Sequence, residues 1–279
     1  MTLFARCASS AALLMVWLFA VDLISVAAQE SESTEKQEQL VEEDRITPAK
    51  NEPVANEKEK KAEIPPAVDV YMGRRVAQTM HYLGAEWLIR NEREREERCS
   101  MMLANLGIKP GMTICDMGCG NGFYTLQMAQ LTGENGYVVG VDVQPEMLSM
   151  LRTRMEDRGI ENIVPILGSY HDPRLPPNIN DLILLVDVYH EFSHPEQMLA
   201  AMRKSLKPDG LMVLVEYRAE DPEVPIKKLH KMSKKQVDKE MTANGFKLVK
   251  EFNGLPWQHM MFYGKDEQGT SNQESSIDE

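Results

Sequence analysis

The sequence has little of what marks several common classes of protein. Its 279 residues include four cysteines, and no C-x-x-C pair or cysteine–histidine spacing suggests a zinc site. We interpret Cys99, Cys115 and Cys119 as small buried side chains of a folded core, not as a disulfide framework. The net charge of −12 argues against a nucleic-acid partner, whose phosphates attract a basic face. We therefore predict neither a metal site nor a nucleic-acid partner.

The chain also lacks an apolar run of the roughly 20 residues that a membrane-spanning helix needs. Its N-terminal run, Ala11–Val21, has eleven apolar residues; Arg6 precedes it and the small residues Val26–Ala28 follow it. This order is typical of a secretory signal peptide, so we predict a signal peptide or membrane anchor over 1–28. Asp22 is unusual in either role. We expect an exported, periplasmic or membrane-attached protein that meets the membrane only through this segment, with a cytoplasmic location as the alternative.

Acidic residues concentrate outside the part that can fold. Residues 29–67 carry a net charge of −5, with four prolines and no aromatic residue, and residues 266–279 carry another −5. Segments of this composition cannot bury enough apolar surface to fold, so we predict a disordered linker and a disordered tail. The remainder, 68–265, is nearly neutral and forms one predicted domain, with a helical extension at 68–110 and a core at 111–265.

Short apolar runs alternate with helical stretches along the core. Continuous apolar strands between helices predict an α/β fold, with a mostly parallel, doubly wound, Rossmann-like sheet that helices cover on both faces. The predicted strands are 112–117, 137–142, 163–167, 182–186, 211–215, 246–252 and 258–263, and the last two are expected to form a hairpin. The predicted helices are 122–132, one from 145, one over 195–206 and one over 233–244, with a turn at 207–210.

The helical extension carries two further patterns. Apolar residues recur at helical spacing from Val76 to Leu88 and predict an amphipathic helix. The next stretch, Asn91–Arg98, interleaves acidic and basic residues and predicts an exposed helix face. Arg74 and Arg75 come before both, and we expect them at the surface or against a ligand carboxylate.

The most informative motif is a glycine-rich turn between the first predicted strand and its helix. It reads Asp116-Met-Gly-Cys-Gly-Asn-Gly122. Glycines here remove the Cβ atoms that would keep a ligand away from the backbone, and the helix that follows offers unpaired N–H groups. This combination predicts a site for a ligand with an anionic group.

A second acid helps to identify the ligand. Asp142 ends the next predicted strand, where a carboxylate suits the two hydroxyls of a ribose. A dinucleotide site wants G-x-G-x-x-G, but Phe123 stands where the third glycine should fall. At this point the chain resembles the class I S-adenosylmethionine (SAM)-dependent methyltransferases, whose motifs read (D/E)-x-G-x-G-x-G and an acid that closes the second strand. The resemblance covers nearly all of 105–265 and implies their seven-stranded sheet, with SAM as the cofactor.

The resemblance also implies which groups meet SAM at the carboxyl ends of the strands. Asp116 is expected near the ligand amine and Asp142 near the ribose. Tyr170 is expected to stack on the adenine and Asp172 to accept from its exocyclic amine, although a loop shaped only by its prolines stays an alternative. Asp187 is expected to orient the loop after the fourth strand. The predicted cofactor-binding residues are Asp116, Gly118, Gly120, Gly122, Asp142, Val143, Tyr170, Asp172 and Asp187.

The segment after the fourth strand, Asp187–His194, is dense in polar groups that are hard to bury unless they pair. In the family, this loop lies beside the transferable methyl group. His190 titrates in the range of a general base, and Glu191 can orient it or accept the proton instead. We predict His190, Glu191 and Tyr189 as the catalytic group, with a purely structural role for His190 as the alternative.

We therefore predict SAM-dependent transfer of a methyl group to a small-molecule acceptor by direct displacement. The layout is similar to that of quinone C-methylating and type 11 methyltransferases. Whether residues 225–232 face the substrate or only solvent stays open. The alternatives are an NAD-dependent oxidoreductase, which titration with SAM and NADH would separate, and an exported protein that binds SAM without turnover.

Overall fold

A computed structural model describes residues 64–267 of the chain. The predicted leader at 1–28, the predicted linker up to residue 63 and the predicted tail from residue 268 lie outside the described residues and stay predictions. Residues 64–67, where the predicted linker ends, are exposed and form neither helix nor strand. Within residues 64–267, no helix combines the length and the apolar character needed to cross a membrane.

A seven-stranded sheet forms the centre of the described part, as predicted. The strands are, in chain order, β1 (Val70–Tyr71), β2 (Arg74–Arg75), β3 (Thr113–Met117), β4 (Tyr137–Asp142), β5 (Ile163–Leu167), β6 (Asn180–Val186), β7 (Leu206–Tyr217), β8 (Phe246–Phe252) and β9 (Gln258–Lys265). The sheet has the order β5-β4-β3-β6-β7-β9-β8, with β3 to β7 parallel and β9 antiparallel to both its neighbours. The chain reverses direction across the sheet between β3 and β6, where a crevice opens at the carboxyl ends.

Helices cover both faces of this sheet. They are α1 (Arg93–Glu97), α2 (Cys99–Asn105), α3 (Phe123–Thr132), α4 (Pro145–Glu156), α5 (Pro195–Ser205) and α6 (Lys234–Ala243), and 3₁₀ helices run over Tyr82–Ile89, Tyr189–Glu191 and Lys228–His230. Prolines open α4 and α5 because their fixed φ suits the first turn. The Ser233 hydroxyl accepts from the N–H of Gln236 and caps α6. The predicted helices of the α/β core therefore begin at or within one residue of where their local signals place them.

The core has two layers because successive side chains of a strand point to opposite faces. Ile114 and Leu184 pack with α2, α3 and α4 on one face. Cys115 and Leu185 pack with α5 and α6 on the other. All four side chains are fully buried. Continuous apolar strands thus signal a sheet buried on both faces, which confirms the doubly wound prediction.

The helical extension differs from the prediction. The ribbon of β1 and β2 comes first, and the helical part begins only at Tyr82. It is a 3₁₀ helix, whose first turn is capped where His81 Nδ1 accepts from the N–H of Leu83. Leu83 is 77% exposed and Trp87 48% exposed, so the apolar spacing does not mark a face packed on the core.

The charged stretch Asn91–Arg98 is exposed only in part. Arg93 and Glu97 on α1 are buried, and Arg93 Nε lies 2.7 Å from Glu97 Oε2. The Arg93 guanidinium lies over the rings of Phe123 and Tyr124, at 4.5 and 4.7 Å from their centroids. An i,i+4 pair suits a solvated helix equally well, so the sequence pattern could not show that this one is buried.

The predicted turn at 207–210 is a bulge inside β7. Asn180 pairs with Leu206 and Leu182 with Leu211, so the four residues 207–210 of β7 stand opposite Asp181 alone. A Cβ on Gly210 would lie 2.8 Å from the carbonyl oxygen of Asn180, which explains the glycine in the bulge.

Gly122 fixes the distance between the glycine turn and α4. Its φ is 82°, and a Cβ there would overlap the Cδ1 atom of Leu151 on α4. Gly159 also has a positive φ of 61°, but open space surrounds the position of its missing Cβ. Both glycines have a left-handed backbone conformation, but only Gly122 is also closely packed, so Gly159 is a matched control for the effect of packing.

Gly122→Ala should lower the free energy of unfolding by about 2–5 kcal/mol, the sum of left-handed strain and overpacking. Gly159→Ala should lower it by about 1–2 kcal/mol, because strain acts alone there. Urea titration followed by circular dichroism measures both. Equal losses in the two variants would show that contact with Leu151 contributes nothing.

Candidate active site

A cavity of about 530 Å³ lies at the carboxyl ends of β3, β4, β6 and β7. The 3₁₀ helix Tyr82–Ile89 contributes Trp87 and Leu88 to its wall, so the apolar residues of the extension cover a cavity instead of packing on the core. The segment before α6 contributes Pro225, Ile226, Lys227 and His230, and these residues therefore face the cavity. Of the predicted site residues, Gly118, Gly120, Asp142, Val143, Tyr170, Asp187, His190 and Glu191 line this cavity.

The glycine turn forms the floor of the cavity and is tied to β4. The N–H groups of Gly118 and Cys119 both donate to the carbonyl oxygen of Val141, at 2.8 and 2.9 Å. Gly118 has a φ of 72°, and a Cβ there would overlap the side chain of Val188. These contacts fix the turn so that the backbone of Gly118 and Gly120, which have no side chains, faces the cavity. Gly122 lies outside the cavity wall, where it packs on α4.

Asp142 closes β4 at the edge of the cavity. Its Oδ2 accepts from the N–H of Gly120 at 2.9 Å and its Oδ1 from the N–H of Gln144 at 2.9 Å. Burial raises the pKa of this carboxyl. Each oxygen keeps a further lone pair, so the fixed carboxylate can still accept from a ligand hydroxyl.

Asp116 does not line the cavity. Its carboxylate lies behind the glycine turn, 3% exposed, and Oδ2 accepts from the Thr125 hydroxyl on α3 at 2.5 Å. Burial raises its pKa to about 6. The structure thus places the first acid of the motif as a link between β3 and α3, and not at the ligand amine expected from the sequence.

The segment after β5 carries two predicted cofactor-binding residues, Tyr170 and Asp172, and only Tyr170 lines the cavity. Tyr170 lines the cavity and is 49% exposed, so one ring face is free for stacking. Asp172 is exposed and its Oδ1 accepts from the N–H of Arg174 at 2.7 Å. Its carboxylate shapes its own turn, and the expected adenine contact from Asp172 does not fit this position.

Asp187 follows β6 in a left-handed conformation, with φ at 51°. Its Oδ2 accepts from the Gln258 amide at 2.6 Å, whereas the buried Oδ1 has no hydrogen-bond partner among residues 64–267. Burial and the nearby Glu97 hold its pKa well above the usual range. A buried carboxylate oxygen at a cavity wall calls for a donor, which a ligand ammonium group can supply.

His190 lies at the centre of a polar cluster with Glu191, Glu216 and His230. Its Nδ1 is 2.7 Å from Glu216 Oε2, and its Nε2 is 3.0 Å from His230 Nδ1. Because an ionised carboxylate only accepts, Nδ1 carries a proton, and Nε2 of the neutral ring is an acceptor at the cavity wall. Burial lowers the pKa of His190, but the Glu216 carboxylate outweighs it and raises the pKa overall.

Glu191 faces the same part of the cavity. Its Oε1 accepts from the N–H of Met80 at 3.2 Å and lies 4.0 Å from His190 Nε2. Burial raises the pKa of Glu191 to about 7, although the His190 ring opposes this. The residue joins the histidine cluster to the N-terminal extension.

The structure places Tyr189, predicted as a catalytic residue, outside the cavity lining. Its side chain is fully buried on the far face of the sheet, and its hydroxyl donates to Glu240 Oε2 at 2.7 Å. Arg74 donates to both oxygens of the same Glu240, at 2.7 and 3.1 Å. In a 3₁₀ turn, adjacent residues point in different directions, so only His190 and Glu191 reach the cavity.

Sequence reasoning missed several groups of the site. Arg93 and Tyr217 line the cavity, and Tyr217 donates to Glu97 Oε1 at 2.9 Å. Glu216 is fully buried beside His190, which only the pairing of β7 with β6 brings about. The one available signal was the acid that follows the apolar run of β7, since buried acids need partners.

Comparison with known proteins agrees with this geometry. A family model described as a methyltransferase domain matches residues 108–272. The ubiquinone/menaquinone biosynthesis C-methyltransferase UbiE of Shewanella oneidensis is 30% identical over 119 residues, 42% of this chain and 47% of that protein. Its counterpart in Shewanella sp. strain ANA-3 is 31% identical over 112 residues, 40% and 45% of the two chains. The chain spans about half the length of the curated relatives it matches.

Solved structures agree in fold. A SAM-dependent methyltransferase from Aquifex aeolicus has a TM-score of 0.63 and 22% identity, and the match covers 66% of this chain and 98% of that one. At that identity the likeness shows the fold alone. The family model, however, spans more than half of the 279 residues and includes the glycine turn and all seven strands of the large sheet. The chain therefore belongs to the class I SAM-dependent methyltransferase family, as its two strand-end acids and three glycines predict.

Proposed function

We propose that this protein transfers the methyl group of SAM to a small-molecule acceptor. The observation that carries the proposal is a single cavity with two chemically different ends. One end has the glycine turn with Asp142 and Asp187, and the other has His190 and Glu191. The N-terminal extension covers the cavity, which favours a small acceptor over a polymer chain. The names of the curated relatives, which refer to ubiquinone and menaquinone biosynthesis, support a small-molecule acceptor over a polymer.

The residues of the first end fit SAM. Gly118 and Gly120 line this end with backbone alone, and a Cβ at either position would overlap Val188 or Leu88, so only glycine fits this part of the wall. Asp142 is fixed to accept from ribose hydroxyls, and the free Oδ1 of Asp187 suits the ammonium group of the methionine part. Tyr170 offers a ring face for the adenine. When bound, SAM would supply an electrophilic methyl group on its sulfonium; the acceptor nucleophile would bond to that carbon, and S-adenosylhomocysteine would leave with the electron pair of the broken C–S bond.

The second end holds the acceptor. His190 is fixed by Glu216, so its Nε2 atom keeps one orientation towards the cavity. A hydroxyl or amine of the acceptor can donate to Glu191, or to His190 Nε2 in place of the contact of that nitrogen with His230. The chain contributes mainly by holding the two reactants in line and away from water, which can lower the barrier by roughly 7–11 kcal/mol. The assignment of His190 as a general base stays a prediction.

Asp142→Ala should weaken SAM binding by about 10- to 100-fold, because a hydrogen bond to a charged group is worth about 1.5–3 kcal/mol. Asp172→Ala, which removes an exposed carboxylate outside the cavity, should change it less than about 3-fold. Isothermal calorimetry with SAM measures both, and titration of the unmodified protein with NADH should give no heat. Equal affinities in the two variants would refute the ribose contact, and binding of NADH alone would refute the proposal.

His190→Asn keeps a donor towards Glu216 but removes the Nε2 acceptor, so it should lower S-adenosylhomocysteine production by about 100-fold or more. SAM affinity should stay within about 3-fold. Tyr189→Phe removes only a buried hydrogen bond to Glu240 and should keep production within about 3-fold. A larger loss in Tyr189→Phe than in His190→Asn would contradict the assignment of the two side chains.

The acceptor class can be tested with methyl-labelled SAM and a cell extract divided by ultrafiltration into small molecules and macromolecules. Label should enter the small-molecule fraction and should require the active protein. The matched control is the Asp142→Ala variant at the same concentration. Label that enters only protein or nucleic acid would overturn the small-molecule proposal while leaving methyl transfer intact.

A further inference from the structure

Three metal-ligand atoms converge at the second end of the cavity, although His190 and His230 lie 40 residues apart in the sequence. His190, Glu191 and His230 each offer one ligand atom, and these atoms all lie within 4.8 Å of one another. Two imidazoles and one carboxylate are a donor set that holds divalent transition metals and leaves coordination positions open. We propose that these three side chains bind one divalent transition-metal cation such as Zn²⁺, with its open positions towards the cavity.

The distances suit this cation. Two ligands at about 2.0–2.1 Å from a tetrahedral ion lie about 3.3 Å apart. His190 Nε2 and His230 Nδ1 are 3.0 Å apart, and Glu191 Oε1 is 4.0 Å from Nε2. Only the carboxylate needs to move appreciably, and its present partner is a backbone N–H that either oxygen can serve.

The proton positions point to the same conclusion. His190 Nδ1 donates to Glu216, so Nε2 is the ring nitrogen that can offer a lone pair to a cation. It lies 3.0 Å from His230 Nδ1, so in the metal-free protein one proton lies between the two nitrogens. A divalent cation can replace that proton and bind both lone pairs.

A buried carboxylate supports the first ligand from behind. Glu216 is fully buried; its Oε2 accepts from His190 Nδ1 and its Oε1 from the N–H of Tyr189 at 3.0 Å. Metal-binding histidines commonly donate their other N–H to such a carboxylate, which fixes the ring and raises its basicity. The ring that would bind the cation is therefore already oriented.

The local charge also favours a cation. Glu191 and Glu216 bring two carboxylates into a buried space, where a cation would balance their charge. Arg74 is engaged by Glu240. Lys227 lines the cavity near His230 and is the one opposing charge among the described residues of the wall on this side.

The site also narrows the acceptor class, a step that rests on the proposed function. A cation with open positions towards the acceptor end can bind a hydroxyl or phenol oxygen of the acceptor there. Coordination would orient that oxygen and lower its pKa, and the hydroxyl proton would leave to solvent water.

The test uses the untagged full-length chain, stripped with EDTA and dialysed, and calorimetric titration with ZnCl₂. One equivalent of Zn²⁺ should bind, and His230→Ala should lower the affinity about 100-fold or more because one of three ligands is lost. Glu216→Gln should lower it about 10- to 100-fold. The matched control is His171→Ala, since His171 pairs with His194 outside the cluster, with ring centroids 5.9 Å apart. Circular dichroism confirms that each variant is folded.

Two results would overturn the metal site: no binding of Zn²⁺ to the folded protein, or binding that His171→Ala removes and His230→Ala leaves unchanged. The second would identify an adventitious surface site. A parallel SAM titration in EDTA separates this failure from that of the proposed function. If the unmodified protein binds SAM but not Zn²⁺, the metal proposal alone is refuted. If the unmodified protein does not bind SAM, the proposed function is refuted.

Discussion

The carboxylate of Asp142, at the end of β4, connects the glycine turn to the N-terminal extension that covers the cavity. One oxygen accepts from the glycine turn at Gly120 and the other from the backbone of Gln144. The Gln144 side chain in turn accepts from the N–H of Tyr82 and donates to the carbonyl oxygen of Met80, both at 2.8 Å. A single strand-end acid thus connects the floor of the cavity to the segment that covers it. Its two occupied oxygens also fix the direction in which its remaining lone pairs can meet a ligand.

The opposite end of the cavity depends on a second carboxylate, Glu216. The side chain of Glu216 is fully buried, so its carboxylate has no contact with solvent. The cost of burying it is offset because His190 and the N–H of Tyr189 donate to its two oxygens. The same short turn sends Tyr189 to the other face, where Glu240 and Arg74 anchor it. One turn therefore carries a structural anchor and a reactive side chain on successive residues. This explains how Tyr189, His190 and Glu191 can follow a buried strand with their polar groups paired.

Much of the fold and part of the site could be predicted from local patterns. β4 and β5 begin and end where the apolar runs do, and α4 begins at the proline that opens it. The glycine turn and Asp142 were found because they follow strands directly, and the carboxyl ends of parallel strands meet at one edge. The errors fall where an element has no regular period. The 3₁₀ helix from Tyr82 and the buried charges of α1 depend on what packs against them.

By itself the sequence determined the strand–helix alternation, the two-faced core and the identity of the cofactor end, because periodicity and strand-end residues are local properties. Only the tertiary structure decided which polar side chains share a cavity. In the folded chain, Asp116 and Tyr189 lie outside the cavity lining and Asp172 is exposed, whereas His230 lies beside His190. The reason is physical: the direction of a side chain in a turn, and the element that packs on it, follow from contacts between residues far apart in the chain.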